Sequence, residues 1–87
     1  MPRTFLIEVK GNKEQIFKKL KHVAKKRDWK LEGSATKGKL IGEVVYSKFS
    51  CRYTVLKGKI RVAIIRKPSF ITSDTIENLI YDSFRPP

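Results

Sequence analysis

The chain is poor in the residues that build reactive sites. Its 87 residues include one cysteine, Cys51, and one histidine, His22. A lone cysteine cannot form an internal disulfide, and a metal site needs further Cys or His ligands. Cys51 falls on a predicted core face, where a thiol is inert, and His22 falls on a polar helix face. The carboxylates Glu8, Glu32 and Glu43 show no paired spacing, so we predict a non-enzymatic protein without metal or cofactor.

Long apolar runs are also missing. The N-terminal stretch MPRTFLIEVKGN has only a short apolar run, and Glu8 interrupts it. A signal peptide or a membrane span needs a longer one. The expectation is a soluble, cytoplasmic protein. It consists of one domain, residues 1–87, whose 40% hydrophobic residues suffice for one modest core.

Acidic residues are also few. Eight Asp and Glu stand against twenty Lys and Arg, which gives a formal net charge of +12. Residues 72–87 do not contribute, because they carry one basic and three acidic side chains. A field of this size attracts polyanions such as nucleic acid, acidic lipid or an acidic protein.

Two amphipathic helices are predicted. Asn12 is the expected N-cap of the first, over about residues 13–28, because Gln15 stands in capping-box spacing. The second covers about residues 73–84, and its outer face is acidic. Each helix has one apolar stripe, so both should cover the same face of a sheet and leave the other face open.

Five strands are expected in RTFLIEVK, WKLEG, KLIGEVVY, SCRYTVLK and IRVAIIRK. We predict turns at Lys37–Gly38 and around Lys48–Phe49. A third turn is predicted at Lys57–Gly58–Lys59, where Gly58 supplies the positive φ of a tight hairpin. Short connections make the last three strands an antiparallel meander. The element order is β-α-β-β-β-β-α, an α+β fold built on an antiparallel sheet.

Strand parity predicts which positions face the core. Phe49, at an expected hairpin tip, is the best candidate for an exposed aromatic side chain. Gly42 lies in the core row, where a helix can cross closely. The whole predicted core row is Leu40, Gly42, Val44, Tyr46, Cys51, Tyr53, Val55, Ile60, Val62 and Ile64.

The opposite, open face mixes aliphatic side chains with arginine and threonine. An apolar surface of this kind usually meets a second copy, a ligand or a partner. Its candidate interface residues are Ile41, Val45, Leu56 and Ile65. The other open-face positions are Leu6, Glu8, Glu43, Arg52, Thr54, Arg61 and Ala63.

The element order over residues 4–84 resembles one half of the TATA-box-binding-protein fold. In that family the open sheet face sits on the DNA minor groove. The resemblance implies the same role for the analogous positions Val45, Arg52, Thr54, Leu56 and Arg61. The phenylalanine wedges that kink DNA in that family have no counterpart on this face.

A second resemblance is to small bacterial proteins of the polyhydroxyalkanoic acid system. It is carried by GEVVYSKFSCRYTVLKGKIRVAI, followed by a proline and IENLI. Those proteins are similar in length and combine a lone N-terminal helix, a meander and a closing amphipathic helix. The resemblance implies a bacterial protein.

The outer face of the first helix carries five lysines: Lys18, Lys19, Lys21, Lys25 and Lys26. Such lysines can contact phosphates as point charges. Lysine outnumbers arginine 14 to 6, whereas base recognition favours arginine. We therefore predict a module that binds nucleic acid or another polyanion, largely nonspecifically. The helix would be its main contact, extended by Lys48, Arg52 and Arg61 and by the loop lysines Lys37, Lys39, Lys57 and Lys59.

Two alternatives stay open. The protein can be a homodimer or adaptor that uses the aliphatic sheet face, with lysines that only keep it soluble. It can also bind an apolar ligand or a polymer-granule surface, although a chain this short leaves little room for a cavity.

Overall fold

The computed structural model describes residues 3–44 and 46–85. These residues form five strands and two helices in the predicted order, so the α+β class is confirmed. The strands pair antiparallel in the order β1-β5-β4-β3-β2. The bounds are β1 Arg3–Glu8, α1 Lys13–Arg27, β2 Lys30–Gly33, β3 Lys37–Val44, β4 Ser47–Leu56, β5 Lys59–Arg66 and α2 Ser73–Ser83.

Both helices lie on one face of the sheet, and the other face is open. Each helix buries one apolar stripe, and this is why they share a face. The stripe of α1 is Ile16, Leu20, Val23 and Ala24, and that of α2 includes Ile76 and Ile80. The buried hydrophobic residues of the strands are Phe5, Ile7, Leu40, Phe49, Cys51, Tyr53, Val55, Ile60, Val62 and Ile64.

The predicted start of α1 and the predicted β4–β5 turn are both confirmed. The Asn12 side chain accepts a hydrogen bond from the Gln15 backbone N–H, and the Gln15 side chain accepts one from that of Asn12, each at 2.9 Å. This reciprocal pair is the capping box. Gly58 has a φ of 74° in the turn between β4 and β5, a conformation that glycine adopts without strain.

The β3–β4 hairpin turns earlier than predicted. Val44 pairs with Ser47, so the turn does not lie around Lys48–Phe49. Two predictions are reversed as a result. Tyr46, expected in the core, has a φ of 63° and is 97% exposed, while Phe49, expected to be exposed, is 1% exposed. Val45 lies outside the described residues.

Gly42 gives the physical reason for this register. A Cβ at Gly42 would lie 2.5 Å from the Phe49 ring and 2.8 Å from that of Trp29. The missing side chain leaves room for Phe49, which packs edge-on against Trp29 with ring centroids 5.8 Å apart. An aromatic ring occupies this space, whereas the sequence suggested a crossing helix.

The β2–β3 connection also differs from the prediction. Lys37 and Gly38 belong to β3, since Gly38 pairs with Gly33 and the loop covers residues 34–36. The Tyr53 hydroxyl donates a hydrogen bond to the Ser34 carbonyl at 2.8 Å and so ties the loop to β4. Lys37 and Lys39 are therefore strand residues and not loop residues.

Both edges of the sheet are protected from pairing with another strand. At β1, the Arg3 guanidinium pairs with Asp74 and Glu77 of α2, and the Tyr81 hydroxyl donates to the Leu6 carbonyl. The opposite edge, β2, has only four residues, among them a charged pair. Short, charged or covered edges disfavour edge-to-edge association.

Candidate functional site

At its centre, the open face carries four exposed cations on three neighbouring strands, which we call the sheet cation block: Lys37, Lys39, Arg52 and Arg61. Lys39 of β3 is directly opposite Arg52 of β4. In the next row, Thr54 lies between Lys37 and Arg61. Strands lie about 4.8 Å apart and same-face residues about 7 Å apart along a strand. The four side chains therefore start from backbone positions within about 12 Å of one another.

Charge in the sheet cation block is not compensated. None of its four residues forms an ion pair with a residue in the described part of the chain. Glu32 is opposite Lys39, but its carboxylate pairs with Lys30 at 3.7 Å. Like charges directly opposite in a sheet are destabilising, as Lys39 and Arg52 are here. A bound anion would relieve this repulsion.

The periphery of the open face is closer to neutral. Glu43 is opposite Lys48 at one end, and Glu8 is opposite Lys59 at the other. Lys48 and Lys59 were expected in turns but lie on strands, and Lys57 is a turn residue as predicted. The excess positive charge thus lies at the centre of the face and at Arg66, which is exposed opposite Ser50.

The lysine face of α1 is a second cationic surface, on the opposite side of the protein. All five of its lysines are exposed, and none forms an ion pair with a described residue. Lys21 places its Nζ 5.1 Å from the centroid of the Phe17 ring. Because α1 packs its apolar stripe on the sheet, its outer face points away from the sheet.

The eight predicted nucleic-acid-binding residues therefore do not form one site. Lys18, Lys19, Lys21, Lys25 and Lys26 face outward from the helical layer, whereas Lys48, Arg52 and Arg61 belong to the open face. Sequence reasoning missed Lys37 and Lys39 as members of this face, because Lys-Gly-Lys is typical of a turn. Two signals could have placed both lysines on the open face. Leu40 faces the core, so alternation along β3 turns Lys39 and Lys37 to the other face, and Glu32 of β2 lies opposite Lys39.

The acidic helix α2 leaves both cationic surfaces intact. Its carboxylates at Asp74 and Glu77 pair with Arg3, and that of Asp82 pairs with Arg85 at 3.3 Å. Arg3 and Arg85 belong to neither surface.

The three predicted interface residues in the described part of the chain, Ile41, Leu56 and Ile65, do not form one continuous patch. Ile41 is opposite Ser50, and Ile65 precedes Arg66, which is opposite the same serine. Leu56 lies six residues further along β4, about 20 Å away. Ile65 is 43% exposed, and the other two are half-buried. The sheet cation block lies between these two ends.

Two aromatic residues are exposed although the sequence did not predict their exposure. Tyr46 is at the tip of the β3–β4 hairpin, and Phe70, 64% exposed, is in the connection between β5 and α2. Phe70 lines an open cleft together with Lys48, Arg66 and Lys67. Strand parity assigned Tyr46 to the core, so its exposure was not predicted. The exposure of Phe70 could have been predicted, because this residue lies in the short stretch KPSFIT between a strand and a helix.

Cys51 is not accessible for chemistry. It is buried, and burial raises the pKa of its thiol from 9.0 to about 12. Residues 3–44 and 46–85 bring together no group of three His, Cys, Asp or Glu side chains that could hold a metal ion. Neither described helix has the length and apolar character needed to cross a membrane.

We expect the raised pKa of the Cys51 thiol to lower the free energy of unfolding at alkaline pH. Between pH 9 and 12 the unfolded thiol loses its proton while the native thiol keeps it, so stability falls as pH rises. The loss is about 1.4 kcal/mol per pH unit. Urea unfolding across this range should give a flatter profile for Cys51→Ala than for the wild type. Parallel profiles would contradict the assignment.

Comparisons of the chain with protein-family models, curated proteins and solved structures found no match. The resemblances to half of the TATA-box-binding-protein fold and to the polyhydroxyalkanoic acid system proteins therefore stay predictions from topology and pattern.

Proposed function

We propose that the protein binds nucleic acid, mostly without reading its sequence, and that the sheet cation block is the principal contact. The supporting observation is the arrangement of Lys37, Lys39, Arg52 and Arg61, four exposed cations that have no carboxylate partner among the described residues. The lysine face of α1 provides a second, weaker contact on the other side.

The chemistry of the sheet cation block suits a phosphate backbone. Lysine contacts phosphate as a point charge, and arginine adds a planar, bidentate fork. Binding a polyanion releases condensed counterions, so each phosphate contact contributes favourable free energy at moderate salt. The sheet fixes the four backbone positions before binding, so no backbone has to be ordered on association.

A salt titration tests this function. Labelled single- and double-stranded DNA and RNA are titrated with the protein at several salt concentrations. If all four cations contact phosphates of a duplex, the log–log slope of the binding constant against salt should be about −4. A salt-independent affinity, or no binding at low salt, would contradict the proposal.

The rival role, a homodimer through the open face, has an electrostatic cost. A two-fold interface places the same patch of each subunit against the other. The sheet cation block would then meet its own copy, with only the peripheral glutamates to offset it. Sedimentation without nucleic acid separates the two roles, since we expect a monomer and the rival predicts a dimer.

A further inference from the structure

We propose that the nucleic acid is single-stranded and that its bases stack on Tyr46 and Phe70, which we call the aromatic pair. This inference rests on the proposed function and names the class of substrate. It comes from an observation independent of the cationic surfaces, namely two aromatic rings that the fold leaves in water, 97% and 64% exposed.

Tyr46 and Phe70 lie at the same end of the sheet. Tyr46 is in the turn between Val44 and Ser47, and β5 ends nearby because Arg66 is opposite Ser50. Ser47 and Lys48, which follow Tyr46 in the chain, line the same cleft as Phe70. A ligand in this cleft can therefore reach both the hairpin tip and the β5–α2 connection.

Charge around the cleft matches a phosphate backbone. Its charged lining residues, Lys48, Arg66 and Lys67, are all basic. The Lys67 ammonium donates a hydrogen bond to the Ile71 carbonyl at 2.7 Å, and this orders the loop that carries Phe70. On its other side, Tyr46 borders a cleft whose charged residues, Arg27, Asp28 and Glu43, carry both signs. A polyanion is thus favoured on the side of Phe70.

Exposed rings beside cations are typical of surfaces that bind single strands. Unpaired bases stack on aromatic side chains while lysine and arginine hold the backbone. Bases of a duplex are already stacked on each other, so they cannot use such rings. Lys48 lies four residues from Arg52 on the same face of β4, about 14 Å away. A strand stacked on Phe70 can therefore continue onto the sheet cation block.

The test compares Tyr46→Ala/Phe70→Ala with the wild type on a labelled 15-nucleotide oligothymidine and on a duplex of equal length. We expect the affinity for the single strand to fall by about 30-fold or more, because each of the two lost base–aromatic stacks contributes at least about fivefold. Affinity for the duplex and its salt slope should stay unchanged. Asn78→Ala, at an exposed position of α2 on the other side of the sheet, is the control and should bind like the wild type.

The conservative variant Phe70→Tyr keeps a ring and should retain single-strand affinity. If the double alanine variant binds single strands as the wild type does, or if both ligands weaken equally, the inference is wrong and the proposed function stands on the salt slope. If the wild type binds neither nucleic acid at low salt, the proposed function fails with it.

Discussion

Arg52→Glu/Arg61→Glu should bind nucleic acid about 100-fold more weakly than the wild type at 0.1 M salt. Each phosphate contact contributes roughly eightfold in affinity at that salt, so two lost contacts account for about 60-fold. The two new carboxylates add repulsion to the loss. The log–log salt slope should also become less steep by about 2. Both arginines are exposed and unpaired with any described residue, so the fold should tolerate the change.

Lys18→Glu/Lys25→Glu is the matched control for this variant. It reverses the same number of charges at exposed positions, but on the outer face of α1. Since the change in net charge is the same, long-range attraction falls equally, and only the local contacts differ. We expect a smaller loss of affinity than for the sheet variant. An equal or larger loss would place the principal contact on the helix.

Phe49→Ala should destabilise the protein by about 3–5 kcal/mol. Phe49 is 1% exposed and fills the space beside Gly42, so its removal leaves a cavity against Trp29. The loss is a large part of the roughly 5–15 kcal/mol that a native domain usually has. Urea unfolding followed by the fluorescence of Trp29 measures it, because this is the chain's single tryptophan.

Phe70→Ala is the control for this second prediction. The same side chain is removed from a position that is 64% exposed, so the change in unfolding free energy should stay within about 0.5 kcal/mol. The contrast reports the register of the β3–β4 hairpin. If the turn were around Lys48–Phe49, Phe49→Ala would be the mild variant, and its stability would match that of Phe70→Ala.

Those parts of the fold that depend on local signals could be predicted from the sequence. The capping box at Asn12 and Gln15 and the turn at Gly58 are such signals, because the interacting residues are neighbours in the chain. The apolar stripes of the two helices were also sufficient to place both on one face. Parity then identified Arg52 and Arg61 as members of the open face.

The position of the β3–β4 hairpin could not be predicted in the same way. Ser47 and Lys48 are polar and are typical of a turn, whereas Val44 and Tyr46 are typical of a strand. The observed register is decided by tertiary packing, since Phe49 fits only where Gly42 leaves space beside Trp29. No local pattern in the sequence connects these three residues.

The sequence placed Arg52 and Arg61 on the open face, but it did not predict the sheet cation block as one surface. Five lysines of α1 were expected to be exposed, and they are. The sequence pattern did not show that the lysine face of α1 and the open sheet face lie on opposite sides of the protein. Lys37 and Lys39 were also assigned to a turn. Once they belong to β3, the charge concentrates around Arg52 and Arg61, on the side of the protein away from the helices.

The most direct measurement is a titration of the ¹⁵N-labelled protein with a single-stranded oligonucleotide, followed through the backbone amide chemical shifts. If the open sheet face is the contact, the largest changes should fall on β3, β4 and β5 around Lys39, Arg52 and Arg61, with small changes along α1. Changes confined to the outer face of α1, or to the acidic helix α2, would contradict a contact on the sheet.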